Sequence, residues 1–544
     1  MPNEASSLAT RDLVPHDAPG SREIGFSVPA RYNASAILFD NLFAGGHRCA
    51  VTGPAGSRTY AELAADACAL GASLLSLELG RGERVLLFLD DTPAYPAALF
   101  GAIRAGLVPL LINTLTPPDL LQFYLADSGA KVAICDAVFV DRFNDEACRG
   151  TQLQTVIVTN GETVPPGSVR MLPAAQWLRQ PAGSLTPADT RRDDMAFWMY
   201  SSGSTGRPKG IVHLQHDMLY THLSYAHHLL KIREDDACFS VPKIFFAYGF
   251  GNSITFPFAA GASSVLLPGQ PKPAAIFETI ARYRPTVFFG LPTLYTALSK
   301  APEAKTADLS SLRLCVSAAE ILAAELFNAW KEICGLEIME GLGSSEVLHI
   351  YLSNTGEAKK LGSAGKRVPG YEISLRNNDG REVPDGEEGI LWVRGDSNAP
   401  CYWNRPEKTA ETMREGGWIY TADRFVRDAE GFHFFRGRAD DLVKISGQWV
   451  YPLEVELCLA NHPMVRECAV LAMEGSDRLT TLKAFVVLAD GSTGSEQTTR
   501  ALQDYVKGRL VPYKYPRLVS YLDELPKTGT GKIDRQSLLK HGAG

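Results

Sequence analysis

The sequence lacks several features that mark other classes of protein. Its 544 residues carry a net charge of -7 and contain no block of Lys or Arg, so nothing indicates a surface for nucleic acid or an anionic membrane. No apolar run has the length of a membrane span, and residues 1–20 lack the apolar core of a secretory signal. Ten cysteines occur without a CxxC pair or zinc-ligand spacing. We therefore expect a cytoplasmic protein with reduced thiols and small-molecule partners.

The order of the apolar runs predicts an α/β fold. Short runs such as "RVLLFLDD" and "LVPLLIN" alternate with stretches of helical length such as "YPAALFGAIRAG", which is typical of βαβ units with parallel strands. After Gly365 the runs become short and are broken by turn residues, as in "YEISLRNNDG" and "GILWVRG", which predicts antiparallel strands. The last hundred or so residues have the size and pattern of a small α+β domain.

One stretch, "YSSGSTGRPKG" at residues 200–210, is poor in bulk and rich in small donors. Gly203, Gly206 and Gly210 allow a backbone to approach a ligand closely, so that consecutive N–H groups can surround anionic oxygens. The spacing is not that of the P-loop of NTPases. A flexible linker is the alternative, but it does not explain Pro208 and Lys209 after an apolar strand. The stretch predicts a phosphate-binding loop.

A second glycine-punctuated stretch, "PKTGTGKIDR", contains Lys527 and Lys532. A lysine on such a loop is usually a solvated surface charge. The stretch gains meaning only from its combination with the first loop.

Five stretches together carry a resemblance to a known family. "YSSGSTGRPKG", "EGLGSSE", "YTAD", "GRADDLVKISG" and "PKTGTGKIDR" match in order and spacing the core motifs of the adenylate-forming superfamily of acyl-CoA synthetases, adenylation domains and luciferases. Within it, "KIFFAYGFGN" and "GSSEVLHIYLSN" resemble the benzoate-CoA ligase group. The resemblance implies a reaction in two halves. A carboxylate attacks the α-phosphate of ATP to give acyl-AMP and pyrophosphate, and the thiol of CoA then displaces AMP to give a thioester.

The resemblance also implies catalytic roles for individual residues. Glu346 and Thr205 would bind Mg²⁺, in keeping with the oxygen ligands that this ion prefers. Asp423 and Arg438 would bind the ribose, and Lys532 would reach the carboxylate and the α-phosphate. Without the resemblance, Glu346 would be interpreted as a charge at a helix N-terminus and the ribose pair as surface charges.

The rest of the predicted ATP site follows from the same motifs. Ala319 stands where relatives often carry Gly, which affects only the details of adenine packing. The further ATP-binding residues implied are Ser201, Ser202, Gly203, Ser204, Thr205, Gly206, Lys209, Ala318, Glu320, Gly341, Gly343, Ser344 and Ser345.

The resemblance implies two domains that move relative to each other. A large N-terminal domain, residues 1–439, would contain two βαβ subdomains and an antiparallel β subdomain, and a small mobile α+β domain would comprise residues 440–544. Asp440 would be the hinge, although an ordinary polar linker is the alternative. The CoA tunnel would be lined by Lys444, Ser446, Gly447 and Trp449.

The acid pocket is expected in two segments. Ala247, Tyr248 and Gly249 offer an aromatic wall beside small residues, which suits a planar ring. His349 and Ile350 match family positions that line the benzoate site. Phe245 and Phe246 are expected in the core, and Lys243 has no assigned role. The histidine-rich segment 213–228 is interpreted as a helix that does not bind metal. His213 is expected to pack under the nucleotide, and the other histidines are expected to be structural.

We therefore expect an ATP-dependent aryl-CoA ligase that requires Mg²⁺ and CoA and acts as a monomer or homodimer. Benzoate is the first choice of acid. Hydroxy-, amino-, methyl- and halobenzoates follow as candidate substrates, because apolar pockets discriminate poorly against one added hydroxyl. Two alternatives stay open: an enzyme that loads an aryl acid onto a separate carrier protein, and a catalytically silent nucleotide-binding relative.

Overall fold

The computed structural model describes residues 19–161, 169–178, 184–201, 208–318, 322–439, 443–445, 448–474, 480–527 and 533–542. The chain divides into two compact units. Unit 1 comprises Met1–Ile373 and Trp392–Tyr420, and unit 2 comprises Ser374–Leu391 and Thr421–Gly544. The division therefore differs from the predicted boundary at Asp440, because part of the antiparallel region belongs to unit 2.

The strands up to residue 367 belong to unit 1. They are β1 (Cys49–Thr52), β2 (Arg58–Thr59), β3 (Arg84–Phe88), β4 (Val108–Leu111), β5 (Val132–Asp136), β6 (Thr155–Thr159), β7 (Arg170–Pro173), β8 (Met195–Ser201), β9 (Lys209–Leu214), β10 (Ala237–Ser240), β11 (Ser263–Val265), β12 (Val287–Gly290), β13 (Leu314–Ala318), β14 (Ile338–Gly343), β15 (Ile350–Ser353) and β16 (Lys366–Arg367).

These strands form two sheets. One has the order β7-β6-β5-β3-β4-β8-β9 and is parallel except for β9, which runs antiparallel to β8. The other has the order β16-β15-β14-β13-β12-β10-β11-β1-β2, with a parallel centre and antiparallel strands at both edges. The parallel strands read as continuous apolar runs because helices cover both faces of such sheets.

The remaining strands include three that pass from one unit to the other, namely β17, β18 and β20. The list is β17 (Glu372–Arg376), β18 (Glu388–Arg394), β19 (Met413–Arg414), β20 (Trp418–Arg427), β21 (His433–Arg438), β22 (Val443–Ile445), β23 (Gln448–Val450), β24 (Val465–Glu474), β25 (Thr480–Leu488) and β26 (Leu518–Tyr521).

The helices begin and end at recognisable signals. Thr59 and Glu62 form a capping box at the start of α4, and Gly129 ends α6 in the left-handed conformation. The α-helices are α1 (Pro19–Glu23), α2 (Ala36–Phe39), α3 (Leu42–Gly45), α4 (Tyr60–Leu75), α5 (Ala94–Arg104), α6 (Pro118–Ser128), α7 (Asp145–Cys148), α8 (Ala175–Leu178), α9 (Asp217–Thr221), α10 (Ala247–Phe250), α11 (Phe256–Ala260), α12 (Pro273–Tyr283), α13 (Pro292–Lys300), α14 (Ala324–Cys334), α15 (Pro406–Thr412), α16 (Pro452–Ala460), α17 (Glu496–Lys507) and α18 (Arg535–Gly542).

Unit 2 contains a small α+β fold. Its strands β24, β25 and β26 form a sheet, antiparallel between β24 and β25 and parallel between β25 and β26. Val470 and Val486 lie in one buried cluster of this sheet, and Ala469 and Phe485 lie in another. Side chains alternate along the strands, so each face of the sheet has its own core.

The predicted alternation of strands and helices in unit 1 and the predicted antiparallel strands after Gly365 are present. The α/β class with a separate α+β unit is confirmed. The described part of the chain holds no helix that is both long and apolar enough to cross a membrane, and its ten cysteines form no disulfide there.

Candidate active site

The ends of the predicted phosphate loop lie side by side. Strands β8 and β9 pair antiparallel, with Ser201 opposite Lys209 and Tyr200 opposite Gly210. The loop residues Ser202, Gly203, Ser204, Thr205 and Gly206 lie outside the described residues. The predicted ATP-binding residues Ser201 and Lys209 are thus neighbours in unit 1.

Asp127 contacts the ends of these two strands that lie next to the loop, both directly and through Trp403. Its carboxylate accepts a hydrogen bond from the Tyr200 hydroxyl at 3.0 Å and pairs with the Arg405 guanidinium at 2.7 Å. Its backbone oxygen accepts from Trp403 Nε1 at 3.2 Å, and the Trp403 backbone N–H donates to Gly210 O at 2.7 Å. The segment around Trp403 was missed in the sequence analysis, because no local pattern connects it to residue 127 or 210.

Glu346 lies in a 3-10 turn, Ser345–Val347, directly after β14. Its half-buried carboxylate accepts a hydrogen bond from the Tyr402 hydroxyl at 2.7 Å. The ring of Tyr402 also lies 4.3 Å from Lys209 Nζ. Glu346 and Lys209, predicted from separate motifs, are therefore connected through a residue that neither motif contains.

The surroundings of Glu346 fit Mg²⁺. A carboxylate with one oxygen bonded to Tyr402 keeps its other oxygen for a hard cation, and Mg²⁺ is typically held by one or two carboxylates together with water and substrate phosphates. No cluster of three or more His, Cys, Asp or Glu side chains that could hold a metal occurs among the described residues. Thr205, the second predicted ligand, lies outside them.

His213 contacts the 3-10 turn that carries Glu346. One nitrogen of its ring lies 2.9 Å from Asp217 Oδ2, and the other lies 3.0 Å from the backbone oxygen of Ser345. The side chains of His213 and Asp217 are fully buried. The interpretation of segment 213–228 as one helix is wrong at its start, because His213 lies on β9 opposite Phe197. The consecutive β-branched residues Ile211 and Val212 just before it favour a strand.

The predicted adenine side lies at the ends of two neighbouring strands. Ala318 on β13 is opposite Gly341 on β14, and Gly343, Ser344 and Ser345 follow along the chain. Glu320 lies outside the described residues.

Glu340 on β14 was not predicted to matter. Its carboxyl accepts a hydrogen bond from the backbone N–H of Leu322 at 2.9 Å. Burial raises the pKa of Glu340 to about 7, against the lowering effect of this bond. A carboxyl group within an otherwise apolar strand is unusual, and this signal in the sequence could have identified Glu340 as a buried residue of interest.

Among the predicted acid-pocket residues, Tyr248 and His349 pack against each other. The ring centroid of His349 lies 5.6 Å from that of Tyr248 and 4.5 Å from that of Phe256. Tyr225 lies 5.6 Å away on another element. Burial lowers the pKa of His349 to about 3, so the imidazole is neutral at physiological pH. Phe256 and Tyr225 complete an aromatic enclosure that the sequence analysis did not assign.

Close contacts leave no room for a side chain at two glycines of the segment that contains Tyr248. A Cβ on Gly249 would lie 2.1 Å from the backbone oxygen of Lys243, and one on Gly251 would lie 2.2 Å from the ring of His349. Ile350, the residue after His349, begins β15. A Cβ on Gly341 would lie 2.7 Å from the side chain of Ile350. The absence of a side chain at Gly249, on α10, thus makes room for the backbone of Lys243.

The turn between the two halves of the site has an unusual backbone. Leu348 has φ +72° and ψ -36°, which is rare for a bulky residue and costs free energy. It separates Glu346, which contacts Tyr402, from His349, which contacts Tyr248. Strain of this kind is often found at functional sites.

Lys243 is placed by the structure rather than by a motif. Its ammonium pairs with Asp90 at 2.8 Å and lies 3.8 Å from Asp91, and it also donates to the backbone oxygen of Leu267. Asp91 accepts the backbone N–H of Ile244 at 3.2 Å. This buried charge cluster fixes the start of the acid-pocket segment.

The predicted ribose pair lies together within unit 2. Asp423 on β20 is opposite Arg438 on β21, and Arg438 Nη1 is 3.1 Å from Asp423 Oδ1. The preceding residue, Ala422, has φ +62°. Lys444 and Trp449 are opposite each other in the β22–β23 hairpin. Asp440, Ser446, Gly447 and Lys532 lie outside the described residues.

Comparison with known proteins identifies the class. Residues 42–403 match the model of the AMP-binding enzyme family, and residues 454–532 match the model of the AMP-binding enzyme C-terminal domain. The chain belongs to the AMP-binding enzyme family, and the predicted resemblance to adenylate-forming enzymes is confirmed.

Individual relatives cover almost the whole chain. The benzoate–CoA ligase of Thauera aromatica is 41% identical over 94% of this chain and 96% of its own length. The structure of the anthranilate CoA ligase AuaEII in complex with anthranoyl-AMP is 38% identical, with a TM-score of 0.87 over 95% of this chain and 99% of that one. The benzoate CoA ligase of Burkholderia xenovorans LB400 is 38% identical, with a TM-score of 0.85 over 93% of this chain and 100% of that one.

Proposed function

We propose that this protein is an AMP-forming aryl-CoA ligase that converts benzoate or a substituted benzoate to its CoA thioester. The observation that carries the proposal is one short segment, residues 343–350, which supplies the Glu346 carboxylate and, three residues later, His349 inside an aromatic enclosure. The relatives named above support an acid–thiol ligase that uses ATP, Mg²⁺ and CoA.

The first half of the reaction brings two anions together, so the site must supply cations and donors where charge accumulates. In the proposal, Glu346 holds Mg²⁺ with Thr205, and Lys209 faces the phosphates together with the loop 201–206. Mg²⁺, when bound, would neutralise charge on the phosphate oxygens. Lys532 supplies the cation near the α-phosphate.

Roles for the remaining predicted residues are part of the same proposal. Asp423 can accept hydrogen bonds from both ribose hydroxyls, and Arg438 keeps its carboxylate oriented. Asp440 acts as the hinge between the domains 1–439 and 440–544. Residues that line the CoA tunnel in the proposal are Lys444, Ser446, Gly447 and Trp449.

The acid is proposed to bind with its ring among Ala247, Tyr248, Gly249, His349 and Ile350. Buried aromatic rings on three sides favour a planar apolar ring over an alkyl chain. Benzoate is the first choice, and polar or halogen substituents are the next. We also propose a cytoplasmic location and a monomer or homodimer.

Pyrophosphate release tests this function. The enzyme is incubated with ATP, Mg²⁺ and each of benzoate, hydroxybenzoates, aminobenzoates, cyclohexanecarboxylate and medium-chain fatty acids, with and without CoA. Multiple turnover with an aromatic acid only when CoA is present supports the ligase. Release that does not respond to CoA supports the loading of a carrier protein, and no release with any acid contradicts the proposal.

A further inference from the structure

We propose that Tyr402 is a positioning residue that holds the metal-binding carboxylate and the phosphate-facing ammonium in a fixed relation. Tyr402 contacts Glu346 through its hydroxyl and Lys209 through its ring. The inference rests on the proposed function, in which Glu346 binds Mg²⁺ and Lys209 faces the phosphates of ATP.

The hydroxyl of Tyr402 orients the carboxylate. It donates to Glu346 Oε1 at 2.7 Å, and only 3% of Tyr402 is exposed. A bond from a buried donor to an ionised acceptor is stronger than one between neutral groups. Because Oε1 is engaged, the carboxylate is held in one rotation, with Oε2 left to face a cation.

The ring of Tyr402 places the lysine. Lys209 Nζ lies 4.3 Å from the ring centroid, within the range of cation–π attraction. Among the described residues no ion pair joins Lys209 to a carboxylate: Glu411, whose pKa is lowered first by its hydrogen bond to Lys408 and also by the charge of Lys209, pairs with Lys408 at 2.7 Å. The ring therefore holds the ammonium without neutralising its charge, so the charge stays available to a phosphate.

The backbone around Tyr402 is fixed on both sides. The Tyr402 N–H donates to Thr409 Oγ1 at 3.0 Å, and the next residue, Trp403, donates to Gly210 O at 2.7 Å. The ring packs against Ile211 in a small buried cluster. Tyr402 is thus attached to the same strand, β9, that begins with Lys209, which holds the two residues beside each other.

Isothermal titration of ATP into the full-length protein tests this role. The dissociation constant is measured in excess MgCl₂ and in EDTA, and the ratio of the two constants reports the contribution of the metal. Tyr402→Phe keeps the ring and removes only the hydroxyl. Tyr60→Phe is the matched control, because the Tyr60 hydroxyl donates to Ala262 O at 2.6 Å in the core. Thermal melting shows that both variants fold.

The inference predicts that Tyr402→Phe reduces the effect of Mg²⁺ on ATP affinity about ten-fold, the usual consequence of removing a group that orients a metal ligand. Affinity in EDTA should stay within about two-fold, since the ring still holds Lys209. Tyr60→Phe should keep the wild-type ratio. In a Glu346→Ala background, Tyr402→Phe should have no further effect on the ratio, because the two residues act through one bond.

A wild-type ratio in Tyr402→Phe overturns the inference while leaving the proposed function intact. A wild-type enzyme whose ATP affinity does not respond to Mg²⁺ also overturns it, because Glu346 would then not bind the metal with ATP. A wild-type enzyme that binds no ATP contradicts the proposed function, and the inference falls with it.

Discussion

Glu346 and His349 are three residues apart and have opposite surroundings. The carboxylate of Glu346 is half-buried and bonded to a hydroxyl, whereas His349 is fully buried among aromatic rings and its pKa falls to about 3. Burial without a charged partner favours the neutral form of a side chain. In the proposed function, the same turn would therefore present a carboxylate to the phosphates and a neutral ring to the acid.

The difference is built from backbone geometry. Strand β14 ends at Gly343, a 3-10 turn carries Glu346, and Leu348 adopts a positive φ before His349. The strained residue changes the direction of the chain between the two functional side chains. We infer that the turn separates the two halves of the reaction over a few residues.

The largest expected effect concerns the acid side. Lys243→Met leaves Asp90 and Asp91 without their buried cation, and loss of one partner of a buried ion pair costs about 3–5 kcal/mol. Chemical denaturation should show this loss. Lys300→Met, at an exposed helix end, is the control and should change stability by less than about 0.5 kcal/mol. Equal effects of the two substitutions would contradict the role of the buried cluster.

Glu346→Ala tests the phosphate side. Removing a preorganised charged group should lower ATP–pyrophosphate exchange by about 10²–10³-fold with every acid accepted. Thermal stability should change little, because the side chain is only half-buried. A loss confined to one acid would mean that Glu346 belongs to the acid pocket, and the comparison would then fail.

Glu340, next to the predicted ATP-binding residue Gly341, provides a pH test of burial in β14. Because burial raises its pKa to about 7 from 4.5, the folded protein holds this proton more tightly, and wild-type stability should fall as pH rises between these values. Glu340→Gln lacks the titration and can still accept the Leu322 N–H. The variant should therefore gain on the order of 2–3 kcal/mol relative to the wild type between pH 4.5 and 7. Denaturation curves with parallel pH dependence would contradict the raised pKa.

His349→Ala should have the smallest effect and the most selective one. Loss of ring contacts should lower kcat/KM for benzoate by roughly ten- to hundred-fold, since apolar contacts of this kind contribute about 1–3 kcal/mol. The dissociation constant for ATP should not change. A weaker affinity for ATP in this variant would show that the two sides of the turn are not independent.

Sequence motifs indicated which residues pair locally because each motif is confined to a short stretch of chain. The strand, turn and helix pattern is visible in apolar runs such as that of β3, and Ser201 with Lys209 or Asp423 with Arg438 proved to be direct neighbours. These pairs come from single hairpins, where the spacing along the chain fixes the geometry.

Long-range contacts could not be predicted in the same way. Tyr402 is 56 residues from Glu346, Lys243 is 153 from Asp90, and Arg405 is 278 from Asp127. Each contact depends on which segments become neighbours in the folded chain. The local patterns of a single sequence do not contain that information. His213 was assigned to a helix because its histidine spacing obscured the strand pattern.

The products formed from benzoate, ATP and CoA decide whether this protein is an aryl-CoA ligase. Mass spectrometry of the thioester, with nucleotide analysis of the same mixture, measures both halves of the reaction together. We expect benzoyl-CoA with one AMP and one pyrophosphate per thioester. Formation of ADP, or of AMP without any thioester from any aromatic acid, would contradict it.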